Sequence, residues 1–424
     1  MTAGWRVRAA ATYGTPLYAY DLDILEHRLG VLSTLFGDRF GISYAIKANP
    51  NLALMRVIMP WLSTFDASSF GEVERAVAVG MAPAHITFSG PAKRPQEISR
   101  AIALRIGELV VESVQEAECA SAMATGLGLV QDVLVRINPA RVPRGFGASM
   151  AATPSQFGVD EEDIGRDLPA IAALPGLRLI GFHIYSGTNS RDPAAIAENF
   201  GIFADIFRRA QAITGISPTR LVFGSGFGVP YLPGEAALDH AALPALVNPV
   251  IDALRAEPAF AQARCNLELG RWLVAPAGWL LTGVISGKQS RGVAIRTCDA
   301  GFNNHLAAAG MMGSVIPRNW VFENITNPDG EVARYTLTGP LCTSIDRLAV
   351  NIELPQVRPG DVLAIPMSGA YGLTASPSRF ISHPEPAEVV VRGGVITDVT
   401  ESRLNHWAPV DTAPDTAPMA RQHA

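Results

Sequence analysis

Eight short runs rich in apolar and β-branched residues, Ile42–Ile46, Thr64–Ala67, His85–Ser89, Glu108–Val111, Asp132–Ile137, Arg178–Ile184, Arg220–Phe223 and Cys265–Leu269, alternate with stretches rich in Ala, Leu, Glu and Arg. The runs have strand length and the intervening stretches favour helix, so the segment reads as a βα array. The first five recur about every twenty residues, enough for a strand, a helix and two short turns, and the last three lie further apart. Parallel strands with helical crossovers close most simply into a barrel, which predicts an α/β fold with a TIM (β/α)8 barrel. A doubly wound open sheet competes, but it usually carries a glycine fingerprint after its first strand, and here that place holds Lys47-Ala48-Asn49-Pro50.

After Gly270 the texture changes to strand-like runs divided by Pro and Gly turns: Trp279–Ile285, Gly292–Thr297, Val332–Thr338, Val362–Pro366 and Ala387–Val391. These predict a C-terminal, mostly β domain, and Pro16–Tyr20 reads as a strand that joins it. The expected organisation is a barrel over 27–270, a β domain from 1–26 and 271–408, and a frayed tail over 409–424, where Asp-Thr-Ala-Pro recurs and large apolar residues are few. Two domains suit a chain of 424 residues. A net charge of −5 without a basic run argues against nucleic acid or a polybasic membrane surface as partner. Cys119, Cys265, Cys298 and Cys342 lack metal-like spacing and suit reduced thiols; with no signal-peptide core and no apolar stretch of membrane length, a cytoplasmic location is expected. The histidines lack ligand spacing, so no metal is assigned.

A barrel carries its chemistry at the carboxyl ends of its strands. Those ends present Lys47, Asp66 with Ser68 and Ser69, Ser89 with Gly90, Glu112, Arg136 with Asn138, His183, the loop Gly224-Ser225-Gly226-Phe227-Gly228, and Glu268 with Gly270 and Arg271. A strand-end lysine can lose hydration, have its pKa lowered and attack a carbonyl as a neutral amine; an ordinary solvated lysine is the alternative. The glycine loop follows the seventh run and Gly270-Arg271 the eighth, where barrels build phosphate sites from backbone N–H groups, although a plain tight turn has the same composition. An amine and a phosphate cradle together fit pyridoxal 5′-phosphate, with Glu268 as the acid that keeps the ring nitrogen protonated; a turn partner for Arg271 is the other use of that acid. His183 suits either stacking on a flat ring or a structural hydrogen bond. In the β domain, Gly339–Asp346 joins a turn, the Cys342 thiol and an acid, and Ser368–Gly372 presents Tyr371 from a loop.

In this order, YAIKANP, FDASS, HIYSGTN, GSGFG, ELGR, GPLCTSID and GAYG resemble the diaminopimelate and ornithine decarboxylase family, the fold-type III pyridoxal-phosphate enzymes, from about Thr15 to Val391. GPLCT followed by an acid, then SGAYG, is similar to specialised members that act on carrier-protein-linked glutamate in butirosin biosynthesis or in siderophore pathways. The resemblance implies a pyridoxal-phosphate-binding barrel with an alanine racemase/ornithine decarboxylase-like β domain, and a homodimer sharing its active sites. It implies Lys47 as the covalent anchor, His183 on the ring face and Glu268 at the ring nitrogen. Gly226, Gly228, Gly270 and Arg271 would surround the phosphate with Tyr371, and Asp66 and Ser186 would complete the cofactor contacts. Cys342 would enter the partner's site to help reprotonate the product, and Arg271, Arg318, Asp346 and Tyr371 would meet substrate.

The implied activity is α-decarboxylation of an amino acid or derivative, carrier-linked or otherwise modified, with an acyl carrier protein as a partner. Diaminopimelate, ornithine or lysine decarboxylation is the alternative, and a non-catalytic regulator the alternative of another class. Racemisation is disfavoured, because racemases on this barrel usually use arginine where this chain has Glu268. Diaminopimelate decarboxylases usually carry Glu after the motif's cysteine, whereas Thr343 stands here, which weakens diaminopimelate as substrate.

Overall fold

The computed structural model describes residues 3–149, 151–310 and 318–401; the expected tail lies outside them. All eight runs are strands. After β1 (Leu17–Asp21) come β2 (Phe40–Ala45), β3 (Thr64–Ala67), β4 (Ile86–Phe88), β5 (Glu108–Val111), β6 (Gln131–Asn138), β7 (Leu177–Ile184), β8 (Arg220–Gly224) and β9 (Arg264–Leu269). Neighbours from β2 to β9 pair in parallel, and the circle closes where β9 meets β2 (Leu267 opposite Ile42) and β5 meets β6 (Val110 opposite Leu134). The result is a closed eight-stranded barrel.

Helix starts between the strands follow local chemistry. Ser69 caps the helix Phe70–Ala78 by accepting from the Glu72 amide at 3.2 Å, while Glu72 reaches back to the Ser68 amide at 2.7 Å. Ser113 and Glu116 repeat the arrangement at the helix Val114–Gly126. Outside β8 an aromatic core forms, with Phe223 at 5.2 Å from Phe207, 5.3 Å from Phe200 and 5.5 Å from Phe40 between ring centroids. Burying each such ring stabilises the fold by about 1.5–3 kcal/mol. That packing anchors β8, which carries the Gly224 turn.

The second unit is an antiparallel-rich sheet built from β10 (Gly278–Ser290), β11 (Val293–Cys298), β12 (Val332–Thr338), β13 (Arg347–Pro355), β14 (Val362–Ile365), β15 (Ala387–Arg392) and β16 (Val395–Asp398). As expected, the N-terminal strand joins it. β1 lies between β10, antiparallel with Leu17 opposite Leu281, and β15, parallel with Leu17 opposite Ala387. Helix α1 (Ala3–Tyr13) covers this sheet through an edge contact of Trp5 on Trp279 at 5.7 Å and an Arg6–Glu323 ion pair at 2.6 Å. Helix α2 (Leu22–Phe36) leaves β1 with Asp21 as its cap and runs unbroken across residues 26 and 27 into the barrel. No helix among the described residues is long and apolar enough to cross a membrane.

Candidate active site

β2 ends at Ala45 and a single tight turn, Ile46–Ala48, swings Lys47 into the barrel mouth. Its Nζ lies 3.7 Å from Asp66 Oδ2 at the end of β3, 3.9 Å from Glu268 Oε1 at the end of β9 and 3.5 Å from Ser68 Oγ. The expected lowering of the Lys47 pKa is corrected here. Burial does work against the charge, but the carboxylates of Asp66 and Glu268 outweigh it and hold the ammonium above the ordinary lysine range.

The two acids differ. Burial opposes charge on Glu268, yet a 2.7 Å hydrogen bond from His183 Nε2, with Lys47 and Arg136 nearby, holds its carboxyl down at about 2. An ionised carboxylate only accepts, so His183 donates through Nε2, and its Nδ1 is left buried without a partner. Glu268 thus serves His183 and Lys47, which removes its reading as a turn partner of Arg271. Asp66 is pushed up to about 6 by burial and by Glu268, against the pull of Lys47, and neither of its oxygens has a hydrogen-bond partner. Glu112 ties the neighbouring loops together: it accepts the Gly90 and Gly158 amides at 3.0 Å and pairs with Arg136 at 3.3 Å.

Opposite these acids stands the glycine loop. Gly226 has a φ of +63°, and a Cβ there would fall 2.6 Å from the Phe146 ring. At Gly270 a Cβ would fall 2.6 Å from that of Ala48, so side chains at either place would push apart the loops that form the mouth. Gly228 passes equally close to Asn189. Arg271 opens a short helix, donates to Tyr231 Oη at 2.6 Å and lies 4.7 Å from the Tyr371 ring, while its buried Nε has no partner. Burial first, then Tyr185, pushes the Tyr371 phenol up to about 12 against the pull of Arg271 and Lys47, so it stays protonated and able to donate. Lys47, Tyr185, Gly226, Glu268, Arg271 and Tyr371 border one cavity.

The remaining expected residues lie elsewhere. Ser186 is buried and donates to Asn199 Oδ1 at 2.9 Å. Asp346 is buried, and both its oxygens accept backbone amides, from Phe302 at 2.9 Å and Leu341 at 2.8 Å. Cys342 is exposed, and Arg318 borders a separate groove together with Ser344 and Ile345. Two residues escaped the sequence reading. Tyr185, with its ring 5.8 Å from Lys47 Nζ, sits two positions after His183, and Tyr231 lies three positions after Gly228 of the glycine loop; only that proximity marked them.

Residues 22–275 match the family described as pyridoxal-dependent decarboxylase, pyridoxal binding domain. The chain belongs to the pyridoxal-dependent decarboxylases. Within that family it is 32% identical over 386 residues to the L-glutamyl acyl-carrier-protein decarboxylase of Niallia circulans, covering 90% of each chain. It is 33% identical over 411 residues to the diaminopimelate decarboxylase of Methanothermobacter thermautotrophicus, covering 93% of this chain and 91% of that one. The crystal structure of Helicobacter pylori diaminopimelate decarboxylase complexed with L-lysine superimposes with a TM-score of 0.82 at 27% identity, covering 94% of this chain and 98% of that one. The protein is therefore an amino-acid decarboxylase that depends on pyridoxal phosphate.

Its side chains fit that cofactor. Both oxygens of Asp66, Nδ1 of His183 and Nε of Arg271 are buried around the mouth without a hydrogen-bond partner. Each such group left unpaired costs about 1–3 kcal/mol. An anionic, hydrogen-bonding ring compound seated between a lysine, two acids and an arginine would supply the missing partners.

Proposed function

We propose that this decarboxylase acts on an amino acid whose far end carries no free ammonium, a carrier-protein-linked or otherwise modified amino acid of a secondary-metabolite or siderophore pathway. One observation carries the reading. The turn around Cys342 presents Cys342, Thr343, Ser344 and Ile345, all uncharged, and its one acid, Asp346, is turned inward onto two backbone amides. A turn built this way has no ion to grip the distal ammonium of a diamino acid. The likeness to the Niallia circulans enzyme, whose substrate is glutamate on a carrier protein, supports it. The test is CO₂ release from free diaminopimelate, ornithine, lysine and glutamate against carrier-linked glutamyl substrates and siderophore intermediates. A carrier-linked or modified substrate is expected to exceed free diaminopimelate in kcat/KM by about 10²-fold; equal turnover of free diaminopimelate would sink the reading.

When bound, pyridoxal 5′-phosphate supplies the electron sink for the bond that loses CO₂. The chain's residues prepare and direct that chemistry. Lys47 would anchor the cofactor as a neutral amine, once the ammonium held between Asp66 and Glu268 has given up its proton. Glu268 would pair with the ring nitrogen and His183 would lie against the ring. Gly226, Gly228, Gly270, Arg271 and Tyr371 would hold the phosphate, while Ser186 fixes the segment after His183 and Asp346 fixes the Cys342 turn.

We also infer a homodimer in which Cys342 serves the partner's site, since it is exposed and apart from the Lys47 cavity of its own chain. Mixing Lys47→Ala and Cys342→Ala subunits should therefore restore activity. Random pairing leaves about one site in four with both groups intact. A mixture no more active than its components would show that the sites are not shared.

A further inference from the structure

The Lys47 turn and the Tyr371 turn come from different units of the fold, and two hydrogen bonds join them. Asn49 Nδ2 donates to Gly369 O at 2.9 Å, and the Tyr371 amide donates to Ala48 O at 2.9 Å. Asn49 is buried and held from both sides: its Oδ1 accepts the Asn51 amide at 3.0 Å and its carbonyl accepts the Tyr44 hydroxyl at 2.9 Å. On the far side the turn is equally confined. The Gly369 amide donates to Ala275 O at 3.2 Å, and a Cβ on Gly369 would fall 1.8 Å from Val274 O, so only glycine lets this backbone reach Asn49. Tyr371 itself has a φ of +54°, in the left-handed region that bulky residues rarely adopt, and such a conformation persists only where surrounding contacts impose it.

From this geometry we propose that Asn49 is a positioning residue: its bridge to Gly369 sets the Tyr371 turn against the Lys47 turn, so that the Tyr371 phenol reaches the cofactor at the height the lysine dictates. The inference rests on the reading above that Tyr371 holds the phosphate. It gives a task to the Asn of YAIKANP and to the first Gly of GAYG, two residues that do not themselves border the cavity.

The test is a double-mutant cycle on cofactor affinity, measured on the full-length protein by equilibrium dialysis of pyridoxal phosphate. Asn49→Ala and Tyr371→Phe are each expected to weaken binding about tenfold, with the double variant no weaker than the worse single one. Asn49→Asp, which keeps the acceptor for Asn51 but loses the donor to Gly369, should behave as Asn49→Ala does and serves in its place if the alanine variant does not fold. Normal binding by the Asn49 variants, or losses that multiply in the double variant while Tyr371→Phe is defective, would overturn the positioning role and leave the Tyr371 assignment standing. Normal binding by Tyr371→Phe would overturn that assignment and the coupling with it.

Discussion

Lys47→Ala protein should fold, and its CO₂ release should fall by about three orders of magnitude or more, because both the covalent anchor and a proton-transfer group are lost. Borohydride reduction followed by mass measurement should attach the cofactor to the wild-type chain and not to the variant. A second substitution separates covalent from electrostatic effects. Lys47 is a cation between two buried carboxylates, Asp66 at 3.7 Å and Glu268 at 3.9 Å, so removing it also strips their charge compensation. Lys47→Arg retains that charge without a usable nucleophile. It should keep the thermal stability that Lys47→Ala forfeits and be just as inactive. Wild-type turnover in either variant would contradict the assignment of the site.

The second large effect belongs to Glu268. In Glu268→Gln the side chain keeps its size, but an amide cannot hold a ring nitrogen protonated, and kcat should drop about 10³-fold with KM little changed. The acid's own titration gives a further reading. With burial opposing and His183 and Lys47 prevailing, its folded-state pKa is depressed to about 2 from an ordinary 4.5. A depressed acid contributes stability above its unfolded pKa and loses it as the pH falls through the folded one. The wild-type protein should therefore shed stability between about pH 4.5 and 2 more steeply than the glutamine variant, measured by denaturant unfolding across that window. A kcat within a few-fold of wild type would remove Glu268 from the chemistry.

The barrel was legible because strands buried on both faces read as unbroken apolar runs, and closing them brings all eight carboxyl ends to one mouth. That is why Lys47, Asp66, His183 and Glu268 could be grouped before their distances were known. Helix α1 was missed because an alanine-rich segment at a terminus carries little periodic pattern. β13 was missed because charged and exposed residues, and Asn351 with a φ of +53°, interrupt its alternation. The charge state of Lys47 was out of reach for another reason. It depends on two acids contributed by β3 and β9, and a balance between burial and ion pairing needs their separations, not their order. Asp346 shows the same limit: an acid beside a catalytic motif looks available for substrate until its oxygens are seen on the Phe302 and Leu341 amides.

The place of β1 between β10 and β15 has a consequence for how the molecule is made. Leu17 leaves the ribosome long before its sheet neighbour Ala387 does. Until then the first strand has one flank bare, an edge that invites pairing with other chains. A stop codon shortly before Ala387 would thus do more than shorten the protein: it would unfasten its beginning.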